Sequence, residues 1–227
     1  MEFIYKIETH AHTAESSPCS RLSAEQLIGA YAQAGYAGVV VTDHLRFGYT
    51  VFAKNRPDEQ IHKFLAGYDA ACAAGEKYGV KVYLGAELYF EQDPQKEFLV
   101  YGADSNFLRD SLPFLTGSLE HFYSFAVSRG VLVVHAHPYR YTDYPANPVF
   151  VDGAEVYNLH PGHRSRNELA LDYAKKNHLI PLSGSDAHEL HHVGRGGIRT
   201  AFIPTDVLEL RDLIQCREYQ LITGEEK

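Results

Sequence analysis

The sequence predicts an α/β protein folded as a small, irregular β/α barrel. The prediction rests on how its segments alternate, on the composition of its strands and on its length. Short β-branched runs at residues 3–8, 38–42, 80–85, 98–101, 131–135, 154–157, 179–182 and 199–203 lie between segments of helical spacing at 24–34, 58–78, 119–129, 166–176 and 206–216. Strands that alternate with helices pair in parallel, with the helices covering the outside. Runs such as Val39-Val40-Val41 are continuously apolar, as expected of strands covered on both faces. Seven or eight such units fit within 227 residues as one domain spanning 1–227. An open, doubly wound sheet is the second possibility; the absence of GxGxxG and Walker loops disfavours it.

Local signals set the boundaries in turn. The first run leads into His10-Ala11-His12. Ser23 and Gln26 form a capping box that opens 24–34, and Gly35 ends it. The second run leads into Asp43-His44, followed by an aperiodic excursion at 45–57. Asp58 is placed to cap the long segment on which Ile61, Phe64, Leu65, Tyr68 and Cys72 share a face. The third run is followed by Glu87, and the fifth by His135-Ala136-His137 and a second excursion, 138–150, rich in proline and aromatics. Ser165 and Glu168 form a second capping box before 166–176, with Asn177 as its stop.

Composition excludes several classes. Hydrophobic residues at 45% and charged residues at 22% describe an ordinary globular chain. No apolar run approaches bilayer length, and the start lacks the features of a secretion signal. Three cysteines without a CxxC pair argue against a disulfide framework and a cysteine zinc finger, and point to the cytoplasm. A net charge of −8 argues against long duplex nucleic acid and against a polybasic membrane surface. The unusual feature is thirteen histidines beside one methionine and no tryptophan.

Their positions carry the chemistry. Metal-binding residue types follow the strand runs: His10 and His12, Asp43 and His44, Glu87, His135 and His137, then Asp186 and His188. In a β/α barrel the C-terminal strand ends meet at one face. Residues two apart at a strand end also point the same way, so His-x-His and Asp-x-His each deliver two groups to one cavity. Imidazole and carboxylate without thiolate suit zinc, manganese or iron. His135 would point opposite to the strand-core residues or toward a helix, while Pro138 marks the chain turn that presents His137 instead, and His135 is read as structural. Arg140 and Arg195 lie just past these positions and are candidates to grip a phosphate. His160 and His163 either line the pocket or serve the structure.

Thr9-His10-Ala11-His12, Thr42-Asp43-His44, Gly85-Ala86-Glu87, Ala136-His137-Pro138 and Gly184-Ser185-Asp186-Ala187-His188 together resemble the motifs of the polymerase and histidinol phosphatase (PHP) family. Glu155-Val156-Tyr157-Asn158, Arg166-Asn167-Glu168-Leu169 and Gly194-Arg195-Gly196-Gly197-Ile198 are similar to its small, stand-alone members. The resemblance implies a distorted (β/α)7 barrel with two or three divalent ions at its C-terminal face. It places His10, His12, Glu87 and Asp186 on the first ion, Glu87 and His137 on the second, and His44 and His188 on a third. An early residue joins the third; Glu15 is taken for that role over Cys19. Many members add a histidine after the glutamate, where this chain has Lys96-Glu97-Phe98. Phe98 cannot ligate, and the direction of Glu97 decides whether the second position gains a carboxylate.

Grouped divalent ions make water nucleophilic near neutral pH and offset charge in phosphoryl transfer. The expected function is hydrolysis of a phosphate monoester of a small molecule, with Arg140, Arg195 and His160 on the substrate. Asp43 is read as orienting His44, with proton acceptance as its other possible role. Alternatives are a phosphodiesterase acting on nucleotides or short oligonucleotides, a protein-tyrosine phosphatase, and a non-catalytic metal-binding module.

Overall fold

The computed structural model describes residues 2–46 and 56–224. The strands are β1 (Tyr5–Ala11), β2 (Tyr36–Val41), β3 (His44–Leu45), β4 (Lys81–Leu84), β5 (Ala86–Tyr89), β6 (Glu97–Tyr101), β7 (Leu132–Ala136), β8 (Gly153–Asn158), β9 (Ile180–Gly184), β10 (Ile198–Thr200) and β11 (Gln220–Leu221). The helices are α1 (Ala24–Gln33), α2 (Pro57–Tyr78), α3 (Ser105–Ser111), α4 (Leu119–Ser128), α5 (Asn167–Lys176) and α6 (Val207–Cys216).

Two hydrogen-bonded sheets, ordered β11-β10-β1-β2-β4 and β3-β5-β6-β7-β8-β9, form the wall of a distorted α/β barrel. β2 and β3 are one stave interrupted at Thr42-Asp43, and β4 and β5 are one stave interrupted at Gly85. Pairing crosses both interruptions, because the Gly85 and Glu87 amides donate to the Val41 and Asp43 carbonyls, each at 3.0 Å. At the other seam Ala11 bridges to Ala187, and the Thr9 hydroxyl donates to the Ser183 carbonyl. Lower down, β10 pairs antiparallel with β1 at Tyr5–Ile7 and wedges the seam apart. The wall therefore has seven staves, with β10 and β11 as additions.

Residues of alternate parity fill the inside. Ile7, Val40, Tyr83, Leu99, Val134 and Leu182 share one buried cluster with Leu210, Leu213 and Ile214 of α6. α6 closes the end opposite the strand tips, with Arg211 donating to the Gly130 carbonyl just before β7 begins. The outward parity of the wall packs beneath the helices. Phe90, Phe98, Phe107 and Phe122 pack together in this outer cluster. Among the described residues, no helix is long and apolar enough to cross a membrane.

Four local expectations are corrected. Pairing is not parallel throughout, because β6 runs antiparallel to both β5 and β7. The link from β5 to β6 is a short double turn, Asp93 to Phe90 and Lys96 to Asp93, with no room for a crossover helix. Asp58 does not cap α2; the helix begins at Pro57, whose fixed φ suits the first position, and Asp58 lies in the first turn. Ser165 does not cap α5, because its hydroxyl donates to Asn158 Oδ1 (3.1 Å) while Arg166 turns into the helix at φ 50°. α3 and the tight turn Leu112–Thr116 fill a stretch where no element was predicted, and Asp104 caps α3 by accepting from the Phe107 amide (2.7 Å). The Ser23–Gln26 box is present in both directions. Of the excursion at 45–57, residues 47–55 lie outside the described residues.

Candidate metal centre

The mouth of the barrel begins with a bulge. The buried Glu8 carboxylate accepts from the amides of Thr9, His10 and Ser185, all at 2.9 Å, and from the Tyr31 hydroxyl at 2.7 Å. Pairing with β2 shifts register between Glu8 and Ala11. Side-chain parity changes with it: Ile7 points into the barrel, whereas Ala11 packs outward with α1. The bulge thereby turns both His10 and His12 inward. Both are fully buried.

Four strand ends then converge on two carboxylates. His10 Nε2 lies 3.6 Å from Glu87 Oε2 and 3.5 Å from Asp186 Oδ1. His12 Nε2 lies 3.5 and 3.3 Å from the same two oxygens. The other Glu87 oxygen stands 3.0 Å from His137 Nε2, which also faces Glu97 Oε2 at 3.6 Å. His44 Nδ1 approaches Glu87 Oε2 at 2.9 Å, and His188 Nδ1 is 3.4 Å from Asp186 Oδ1.

These donors suit a divalent cation. His10 Nε2, both His12 nitrogens and His44 Nδ1 are buried without a hydrogen-bond partner, an arrangement that protein groups alone leave costly. Ligands about 2.0–2.2 Å from one ion stand about 3.0–3.6 Å from one another, the spacing seen here. Among the described residues, the groups whose donor atoms lie within 4.8 Å of one another include His10, His12 and Asp186; His10, Glu87 and His137; and His12, His44 and His188.

A supporting layer fixes the ligands. His10 Nδ1 donates to Glu155 Oε1 (2.8 Å), which leaves the Nε2 lone pair facing the cluster. Glu155 Oε2 accepts from the His137 amide and from Asn158 Nδ2, each at 3.0 Å, and Asn158 Nδ2 reaches Asp186 Oδ2 at 3.1 Å. His137 (φ 30°) and Asp186 (φ 50°) are held in the left-handed region, which costs on the order of 1–3 kcal/mol per residue. A Cβ at Gly184 would stand 2.5 Å from His10 Cβ and 2.6 Å from Glu155 Oε1, so only glycine allows this approach.

The electrostatics favour positive charge at the centre. Burial works to raise the Glu87 and Asp186 carboxyls, but the surrounding imidazoles, His10 foremost, hold both well below the ordinary range. Burial works against charge on His10, yet Glu155, Asp186 and Glu87 push it well above an ordinary imidazole. Burial and the neighbouring His188 and His44 keep His12 neutral, well below that value. The field that would hold a proton on His10 also attracts a cation.

The other sequence candidates are placed as follows. Asp43 does not touch the His44 ring; it accepts from the Thr13 amide (2.7 Å) and from the Thr13 and Ser17 hydroxyls (2.6 Å each). Ser17 Oγ in turn accepts the His44 amide at 3.0 Å, so Asp43 positions the His44 backbone through Ser17. Glu15 is turned away from the cluster, both its oxygens accepting from the Ala24 amide at the start of α1 (3.0 and 2.9 Å). Cys19 instead lines the rim cavity with His188; burial works to raise its thiol, and the neighbouring His188 and His44 lower it to about 6. Arg140 Nη1 reaches Asp186 Oδ2 at 3.3 Å, and its Nη2 meets His163 Nε2. Arg195 is exposed, donates to the His191 carbonyl (2.9 Å) and lines a different depression with Lys6 and Tyr36. His160 stacks on His163 at 3.4 Å, in a cavity of about 470 Å³ that Arg140, His188 and His192 also line. His135 faces outward, stacked on Phe98, and accepts from the Ala146 amide.

Two rim histidines are fixed as hydrogen-bond donors. An amide can only donate, so Gly162 N–H at 3.0 Å makes His160 Nδ1 the acceptor and leaves the proton on Nε2. The His188 and Glu189 amides, both at 3.2 Å, do the same to His192. Although His160, His188 and His192 cluster, two of the three thus present N–H rather than a lone pair. Glu8 was not singled out from sequence, and Glu155 and Asn158 entered only as part of a motif, with no role assigned. The available signal was a lone carboxylate inside an apolar run, as in Ala154-Glu155-Val156, which must find buried donors.

The comparisons agree with this architecture. A two-domain protein from Bacteroides vulgatus, containing a predicted PHP-like metal-dependent phosphoesterase, superposes with a TM-score of 0.62 at 14% identity, over 96% of this chain and 64% of that one. PsfC from Pseudomonas syringae gives 0.60 at 17% identity, over 96% and 89% of the two chains. An amidohydrolase from Chromobacterium violaceum, with bound sulfate and no metal, gives 0.58 at 17% identity, over 97% and 99%. No curated protein matches. The PHP domain model matches residues 8–191, from the bulge carboxylate to the rim histidines, and the chain belongs to the PHP domain family.

Proposed function

We propose that the protein is a phosphatase of the histidinol-phosphatase type, hydrolysing a phosphate monoester of a small molecule at a centre of two or three divalent ions. The observation that carries this reading is a cationic, hydrogen-bonding rim set directly on a ligand carboxylate. Arg140 is pinned between Asp186 and His163, at one edge of the 470 Å³ cavity. His10, His12, Glu87 and Asp186 would hold one ion, Glu87, His137 and Glu97 a second, and His44 and His188 a third. Imidazole with carboxylate suits zinc, manganese or iron. When bound, such ions supply Lewis acidity and a water made nucleophilic near neutral pH.

The chain's own groups do the rest. The Arg140 guanidinium presents a planar fork suited to two phosphate oxygens, and its bond to Asp186 fixes that fork before substrate arrives. His160 and His192 add neutral Nε2–H donors at the mouth. Asp43, clamped by Thr13 and Ser17, positions β3 and so His44. Small phosphates suit this cavity, whereas a net charge of −8 disfavours a long polyanion.

The test is turnover of an aryl phosphate and a bis-aryl phosphate by the manganese- or zinc-loaded chain. Faster turnover of the monoester is expected. Preference for the diester would replace this reading with a phosphodiesterase, and turnover of neither would leave a metal-binding module.

A further inference from the structure

We propose that Cys19 supplies a thiolate to the third metal position, beside the imidazoles of His44 and His188, giving the centre one sulfur-ligated ion. The inference rests on the metal-dependent reading above and adds a ligand to it. Cys19 lines the same rim cavity as His188, and the His188 ring stands beside that of His44, their centroids 6.1 Å apart. His188 Nδ1 donates to the Asp186 carbonyl (2.9 Å), which fixes the proton there and leaves the Nε2 lone pair free. An independent observation comes from His12, wholly buried with neither ring nitrogen partnered. Its ring stands 4.5 Å from His44 and 4.4 Å from His188.

The loop carrying the thiol is tied to both histidine-bearing segments. On one side Ser17 Oγ accepts the His44 amide while donating to Asp43. On the other, the Arg21 amide donates to the His188 carbonyl at 2.9 Å, and the Ser20 hydroxyl donates to the His12 carbonyl at 3.0 Å. Two successive turns, Ser17 to Thr13 and Ser20 to Ser17, fold the loop so that Cys19 faces the cavity lined by His188 and Glu15 is left at α1. A thiolate with two imidazoles is a softer set than imidazole with carboxylate, and favours zinc over manganese at this one position.

Cobalt(II) loading of the full chain tests it. Visible d–d bands report bound cobalt, and a near-ultraviolet thiolate-to-cobalt band reports a sulfur ligand. Both are expected in the wild type, with the thiolate band retained in Cys72→Ser and Cys216→Ser. In Cys19→Ser the thiolate band should be lost while d–d bands from the remaining ions persist. Visible bands without a thiolate band in the wild type, or a thiolate band surviving in Cys19→Ser, would overturn the thiolate assignment alone. Absence of all cobalt bands would overturn the metal reading with it. Alkylation of the wild type needs no variant: metal should slow modification of Cys19 by tenfold or more, and an unchanged rate would count against ligation.

Discussion

Glu155 shows how much of the centre depends on a residue that touches no ion. Its carboxylate orients His10 and holds the amide of the strained His137. Glu155→Ala should weaken divalent metal binding by roughly 10–100-fold, read by competition with a chromophoric chelator. Unchanged affinity would show that His10 needs no orienting partner. Arg140 should behave oppositely: Arg140→Ala is expected to keep its metal while KM for an aryl phosphate rises by roughly tenfold or more, since bonds to charged groups are worth about 1.5–3 kcal/mol. Parallel loss of metal would instead make Arg140 a structural clamp on Asp186. The ligand types were legible because histidines and carboxylates recur after strand runs. Side-chain direction was not. Arg195 lies just past the motif that carries His188 yet turns to the His191 carbonyl, and Glu15 lies nearer His12 in sequence than Cys19 but is carried away by the folding of its loop.

At the level of elements, the reversed β6 and the glycine of α2 carry the lesson. Gly67→Ala should favour the helix by about 1 kcal/mol on propensity alone. A Cβ there, however, would fall 2.0 Å from Thr13 Oγ1 and 2.6 Å from Asp43 Oδ2, inside the network that shapes the 13–20 loop. Overpacking of this kind costs about 1–3 kcal/mol, so the denaturation midpoint should fall; a rise would mean that the loop yields without cost. The alternation of strands and helices was readable because β-branched runs and capping signals are local. The direction of β6 was not, since it depends on whether residues 90–96 can make a double turn. That reversal brings the first residue of β6, Glu97, to the mouth, 3.6 Å from His137, where a forward strand would have presented its last. α3 was missed because seven residues are too few to show a helical period.

Across the whole molecule, buried carboxylates and imidazoles from β1, β5, β7 and the segment after β9 meet at one end of a barrel whose interior is otherwise apolar. An ion that binds only the folded chain adds stability by mass action, about 2.7 kcal/mol at a hundredfold excess over Kd. For a chain of this size that corresponds to a Tm roughly 5–10 °C higher with metal than after chelation. Equal melting with and without metal would mean that these groups do not hold an ion in the folded state. The decisive measurement is elemental analysis of the chain purified without chelator and dialysed, beside Glu87→Ala. The wild type should retain stoichiometric divalent metal and Glu87→Ala should lose most of it; equal content in the two, or none in the wild type after exposure to zinc and manganese, would contradict a centre gathered around Glu87.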